Sequence, residues 1–209
     1  SWGVERRLGD EREMTESLTC RPLLRWALGH LAPQCSAAYL ETLTALIDRS
    51  MNLPTRHYHD LAHALMVAES NDPLDALIGL FHDIVQAGVD GGLPPDSEHY
   101  LAGLVDRNAS GEFKLLGSAE ALQDPVFDIV KRCFGFSDTQ TLSPFAGQNE
   151  FLSALVACKA LHEVLDAEHL AAVSLGIEAT VPFRKDPHLL ATSYMSALVD
   201  INHRHQSQI

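Results

Sequence analysis

Hydrophobic positions recur at helical spacing along most of the chain. Leu23, Leu24, Trp26, Ala27 and Leu28 form one apolar face, and Ala38, Leu40, Leu43, Leu46 and Ile47 form a second beyond the break at Pro33. Both sets predict core-facing helices. Asn52-Leu53-Pro54-Thr55 interrupts the pattern, and a third helix is expected from near Tyr58 to about Asn71, with Leu61, Leu65, Met66 and Ala68 as its packing stripe. Residues 74–85 are almost wholly apolar, as in a helix covered on most sides, and this run ends in His82 and Asp83. The segment 86–95 holds Gly88, Gly91, Gly92 and a proline pair, so it reads as a loop beside those two residues, able to cover them.

Further helices are predicted over 96–107, 119–122, 125–134, 149–165, 167–179 and 189–203, separated by polar or Gly/Pro-containing stretches such as 137–148 and 182–187. No strand-type alternation, internal repeat or low-complexity tract interrupts them. The pattern predicts an all-α fold, a multi-helix bundle formed as one domain over residues 14–209. Residues 1–13 are charged and precede Met14, so they are expected to be a disordered leader or added extension outside that fold.

Charge narrows the partners. With 15 Lys+Arg against 28 Asp+Glu, the formal net charge is −13, which opposes an extended nucleic-acid or anionic-membrane surface. A small phosphorylated substrate remains compatible, because a bound dication reverses the local sign. The four cysteines are scattered and lack zinc-type pairing, so they read as reduced, and with no transmembrane-length apolar run a cytoplasmic location is expected. A homodimer is left open.

The chemistry concentrates in Arg56-His57-Tyr58-His59-Asp60-Leu61-Ala62-His63 and in His82-Asp83. His59 and His63 are four apart and would share one face of a helix, while His82 and Asp83 offer adjacent nitrogen and oxygen donors to a divalent ion. His63, His82 and Asp83 supply three ligands, leaving a fourth to be found. Asp200 is the leading candidate, because it is a lone carboxylate within the apolar Ala197-Leu198-Val199-Asp200-Ile201 stretch; Asp166 and Glu168, near a helix start, are the alternatives. Arg56 and His57 read as helix-entry residues, and the His203-Arg204-His205 tail as solvated.

Tyr58-His59-Asp60-x-x-His63 followed by Phe81-His82-Asp83 resembles the HD superfamily of metal-dependent phosphohydrolases, including cyclic-nucleotide phosphodiesterases and small bacterial members, with Asp60 where the related signature has Asn. The likeness covers roughly residues 56–105. It implies that His63, His82 and Asp83 hold the metal and that His59 donates a proton to the leaving oxygen. Glu98, like the acidic residue that follows the HD pair in small bacterial members, would hydrogen-bond a water at the metal. The stretch Ile177 to Arg184 is similar to uncharacterised bacterial HD-like proteins; there Arg184 could clamp a phosphate with its fork of donors and Glu178 could orient a site residue.

The expected activity is hydrolysis of a phosphodiester or phosphomonoester in a small, nucleotide-like metabolite, assisted by one or two divalent ions drawn from Mn, Mg, Fe, Zn or Ni. Two other readings stay open. One is an HD-type di-iron oxygenase, which would need additional ligands such as His99, His162 or His169. The other is a non-catalytic module that binds metal or nucleotide and regulates a partner.

Overall fold

Short polar side chains start most of the helices. Ser36, Asp60, Asp72, Ser118, Asp124 and Asp166 each accept a backbone N–H of the following first turn, satisfying a donor that the helix itself leaves open. The computed structural model describes residues 18–182; the expected leader, the helix expected over 189–203, Arg184, Asp200 and the histidine tail lie outside them. In chain order the helices are α1 (Arg21–Leu31), α2 (Ala37–Met51), α3 (Leu61–Val67), α4 (Pro73–Phe81), the single turn α5 (Ala87–Asp90) and α6 (Pro95–Leu101). A hairpin of β1 (Val105–Arg107) and β2 (Phe113–Leu115) follows, then α7 (Ala119–Gln123), α8 (Pro125–Phe134), α9 (Gln148–Leu161) and α10 (Ala167–Glu178).

The protein is mostly helical, as the periodicity implied, with one two-stranded exception. The helix predicted over 96–107 stops at Leu101, because Gly103 turns the chain at φ 76°, a left-handed conformation that ends a helix readily only at glycine. Val105 then pairs with Leu115 and Arg107 with Phe113 across an Asn108–Gly111 turn. Strands of three residues are too short to show alternation in sequence.

Helices α4, α9 and α10 form the centre. α9 is closed to solvent on nearly every side, from Phe151 through Cys158, and α10 packs against α8, α9 and α4. α1 and α3 also pack against α4. Two glycines permit these approaches. A β-carbon at Gly79 would sit 2.6 Å from the nitrogen and 2.8 Å from the β-carbon of Ala68, so α4 presses directly on the end of α3; one at Gly176 would sit 2.7 Å from Ile78 Cγ1. The buried stripe of α3 is Leu61, Ala64 and Ala68, with Leu65 half-buried and Met66 turned outward at 66% exposure, so Met66 does not belong to the expected stripe.

All four cysteines are free, and Cys20, Cys133 and Cys158 are buried among apolar neighbours. Among the described residues no helix is long and apolar enough to cross a membrane.

Candidate metal centre

The start of α3 sets the first two histidines. Asp60 is the N-cap, its Oδ1 accepting the His63 backbone N–H at 2.9 Å, so the helix begins at Leu61 and His59 lies in the turn before it. The two imidazoles therefore meet across a capping turn and not along one helix face, with ring centroids 5.7 Å apart and nearly perpendicular. His63 in turn approaches His82, ring to ring at 5.5 Å, where the Gly79–Ala68 contact brings α3 onto α4.

His82 closes α4 as its C-cap, and Asp83 is the first residue past it. The Nδ1 of His82 lies 2.8 Å from the Gly79 carbonyl, which can only accept, so Nδ1 carries the proton. The other nitrogen, Nε2, faces Asp83 Oδ2 at 3.0 Å. An imidazole lone pair and a carboxylate oxygen repel at that distance unless a cation stands between them.

Two further imidazoles converge on the same oxygen. His59 Nδ1 donates to Asp83 Oδ2 at 2.7 Å, and His63 Nε2 lies 3.6 Å from it. Burial works to raise the Asp83 carboxyl pKa, but the bonds and charges of His82 and His59 outweigh it and hold the group well below the usual carboxylate range. Burial likewise works to lower the His82 pKa, and the Asp83 bond and charge reverse that and raise it.

The second oxygen of Asp83 is fixed from behind. Gln86 Nε2 donates to Oδ1 at 2.6 Å, Gln86 Oε1 accepts from Asn149 Nδ2 at 2.9 Å, and Asn149 Oδ1 accepts the Ala87 N–H at 3.1 Å. One residue pair further, Ser153 Oγ accepts the Val85 N–H at 3.0 Å. The first turn of α9 is thereby locked to the His82-Asp83 corner. It is anchored from below by Phe151, whose ring lies 5.3 Å from that of Phe134 and 5.0 Å from that of Phe136.

Arg56 holds the backbone of both ligand segments. Its Nη1 donates to the carbonyls of His59 and Asp83, at 3.1 and 2.7 Å, and its Nη2 to that of Ile84 at 3.1 Å. Asp90, on α5, receives the rest of the fork. The buried Arg56 is thus not the helix-entry residue its position suggested, whereas His57 is exposed.

The donors open onto a cleft of about 530 Å³. His59, His63, His82, Asp83, Gln86, Asn149 and Glu150 give it a polar floor, and Val67, Pro144, Phe145 and Pro182 give it an apolar wall. Among its described lining residues there is no Lys or Arg.

This donor set fits a divalent ion. Ligand atoms of His59, His63 and Asp83 lie within 4.8 Å of one another, and His82 Nε2 is 3.0 Å from the shared oxygen. Bonds of about 2.1 Å to one ion separate adjacent ligand atoms by roughly 3.0–3.4 Å; His82 Nε2 and His63 Nε2 stand 3.0 and 3.6 Å from Asp83 Oδ2, near that spacing. The Gly79 carbonyl and Gln86 orient His82 and Asp83 from outside, as metal sites generally require.

Of the residues anticipated from sequence, His59, His63, His82 and Asp83 come together. Glu98 does not join them: it is exposed on α6 and lines a different depression with Asp90, Gly92 and Arg107. The glycine-containing segment after Gln86 lines that depression too, and so does not cover the histidines. Asp166 and Glu168 are also elsewhere, since Asp166 caps α10 and bonds His169. His162 lies with Asp166 in a separate cleft between α8 and the start of α10, His169 is bonded to Asp166, and exposed His99 stacks on Tyr100, so none of the three extra histidines reaches the site. Glu178 is fully buried near the end of α10 and is not among the cleft's lining residues.

Arg56, Gln86, Asp90, Asn149 and Glu150 were not legible as site residues. Only Gln86 carried a local signal, as a polar residue directly after an apolar run. Comparison of the chain with family models, with curated proteins and with solved structures finds no match.

Proposed function

We propose that the chain is a metal-dependent phosphohydrolase of HD type, acting on a phosphoester of a small, nucleotide-like metabolite. The observation that carries the reading is the convergence of three imidazoles on one oxygen of Asp83 at the floor of an open cleft. His63, His82 and Asp83 would hold the ion. When bound, a divalent metal supplies Lewis acidity, favouring deprotonation of water and offsetting charge on phosphoryl oxygens.

The residues around it have separable tasks. Asp83 accepts the Nδ1 proton of His59, so a doubly protonated His59 would give its Nε2 proton to the departing oxygen and return to the neutral imidazole held by Asp83. Gln86 fixes the carboxylate plane from the opposite side. The apolar side of the cleft, formed by Val67, Pro144 and Phe145, offers contact to the organic part of the ester. Arg184 as a phosphate clamp and Asp200 as a further ligand are retained as proposals.

Purified protein loaded with Mn²⁺ is to be assayed against cyclic nucleotides, nucleoside monophosphates and bis(p-nitrophenyl) phosphate. Hydrolysis of at least one, abolished by Asp83→Asn and by His82→Ala, is expected. Activity equal in the variants and the parent would remove the assignment. With metal retained in His59→Asn, turnover is expected to fall most for poor leaving groups, the behaviour of a lost general acid.

A further inference from the structure

The two oxygens of Asp83 face different partners. His59 Nδ1, His82 Nε2 and His63 Nε2 stand 2.7, 3.0 and 3.6 Å from Oδ2, whereas Oδ1 accepts a Gln86 amide N–H at 2.6 Å. Building on the metal-binding reading above, we propose that Gln86 is a positioning residue that commits Asp83 to the ion through Oδ2 alone, so that the centre holds one metal ion per chain and not a bridged pair.

The direction of the amide chain is the first support. At one end the Ala87 N–H can only donate, and at the other the ionised Asp83 carboxylate can only accept. Between them Asn149 Oδ1 accepts from Ala87 at 3.1 Å, Asn149 Nδ2 donates to Gln86 Oε1 at 2.9 Å, and Gln86 Nε2 donates to Asp83 Oδ1. Turning Gln86 over would set its oxygen against Oδ1 and its NH2 group against that of Asn149; turning both would set the Asn149 NH2 group against the Ala87 N–H. One orientation alone pairs every group. Ser153, bonded to both backbone groups of Val85, holds the register of the helix that carries Asn149.

What a second ion would meet is the other support. Two ions about 3.5–4 Å apart need a group that bridges them, and to serve as that bridge Asp83 would have to give Oδ1 to the second cation. At Oδ1 the cation faces the positive end of the Gln86 amide dipole. Displacing Gln86 leaves its N–H without an acceptor, and because Gln86 and Asp83 are both buried, water does not readily take the vacated place. The amide oxygens of Gln86 and Asn149, which could otherwise ligate a hard cation, are already accepting bonds within the chain. Oδ2, by contrast, is surrounded by imidazoles, the donors that suit a single Mn²⁺, Fe²⁺ or Zn²⁺.

The test is the number of Mn²⁺ ions bound, by calorimetry and by elemental analysis after gel filtration, with electron paramagnetic resonance to distinguish an isolated ion from a coupled pair. It uses the metal-stripped parent, Gln86→Leu and Gln86→Glu, each checked for fold by circular dichroism. The parent is expected to keep one ion with an uncoupled spectrum even after exposure to excess Mn²⁺. Gln86→Leu, which removes the donor, is expected to lose Mn²⁺ affinity at least about tenfold. Gln86→Glu puts a second carboxylate where the amide donor stood and is expected to take up two ions with a coupled spectrum, a change that a merely structural Gln86 would not produce. Two coupled ions in the parent, parent-like affinity in Gln86→Leu, or a folded Gln86→Glu that still binds one ion overturns the assignment while leaving the metal centre in place. A parent that binds no ion overturns the underlying reading and this assignment with it.

Discussion

Arg56 grips Asp90 through two parallel bonds, Nε to Oδ1 at 2.7 Å and Nη2 to Oδ2 at 2.6 Å, with 0% and 2% of the two side chains exposed. The remaining donors reach the carbonyls of His59, Asp83 and Ile84, so one guanidinium fixes the turn before α3 relative to the corner after α4. Removing it strands a buried carboxylate and several carbonyls together. Arg56→Ala is expected to cost about 3–5 kcal/mol, measured by urea unfolding. Arg21→Ala, which breaks an exposed pair with Glu41, is expected to cost less than about 1 kcal/mol. Comparable losses in both variants would show that the buried fork holds nothing in place.

Gly79 and Gly176 make opposite demands on the same helix. At Gly79 an added methyl meets the backbone of Ala68, which cannot move without displacing α3, whereas at Gly176 it meets the Ile78 side chain, which can rotate. Gly79→Ala is expected to destabilise by about 1–3 kcal/mol and to weaken metal binding by separating His63 from His82. Gly176→Ala is expected to cost less and leave metal affinity unaltered. Thermal melts with Mn²⁺ titrations of the two variants check the order.

Asp60 stands where the related signature has Asn, and the structure gives it a task either residue performs. Its Oδ1 caps α3 by accepting the His63 N–H. Asp60→Asn is therefore expected to keep stability within a few tenths of a kcal/mol, and Asp60→Ala to lose about 1 kcal/mol, by chemical denaturation. Loss in the Asn variant equal to that in Ala would mean that the charge at position 60, and not the cap, is what matters.

The His82–Asp83 pair gives the metal-free protein a pH signature. The His82 pKa is raised above its ordinary value of 6.5, so its contribution to stability is fully present below that value and is lost as pH rises through the raised one. The Asp83 pKa is lowered, so its contribution is present above the ordinary carboxylate range and is lost only as pH falls well below it. Between these limits the proton on His82 occupies the position a metal would take. Metal uptake at pH 6 is expected to release protons into weakly buffered solution and to tighten as pH rises through the His82 transition. Binding without proton release would exclude His82 as a ligand.

Helical periodicity and capping residues made the fold readable. The apolar runs of α1, α2, α4, α8, α9 and α10 lie where the spacing put them, and Asp72-Pro73, within the stretch expected to end the third helix, caps and opens α4. The hairpin escaped because its strands span three residues each, and the Gly103 stop was hidden inside an otherwise helical stretch. At the site, histidines and an adjacent aspartate are few enough in type and spacing to be seen. Arg56 and Asp90 are 34 positions apart, and Asn149 and Glu150 look like ordinary residues of a helix start, so only the packing of α9 against the corner after α4 reveals them.

Every role proposed for the cleft depends on a divalent ion held by His63, His82 and Asp83. The most direct measurement is elemental analysis with Mn²⁺ calorimetry on the purified parent, His63→Ala and Asp83→Asn. Stoichiometric binding by the parent, lost or weakened by at least about a hundredfold in both variants, is the predicted result. A parent that takes up no ion, or variants that bind as it does, would contradict it.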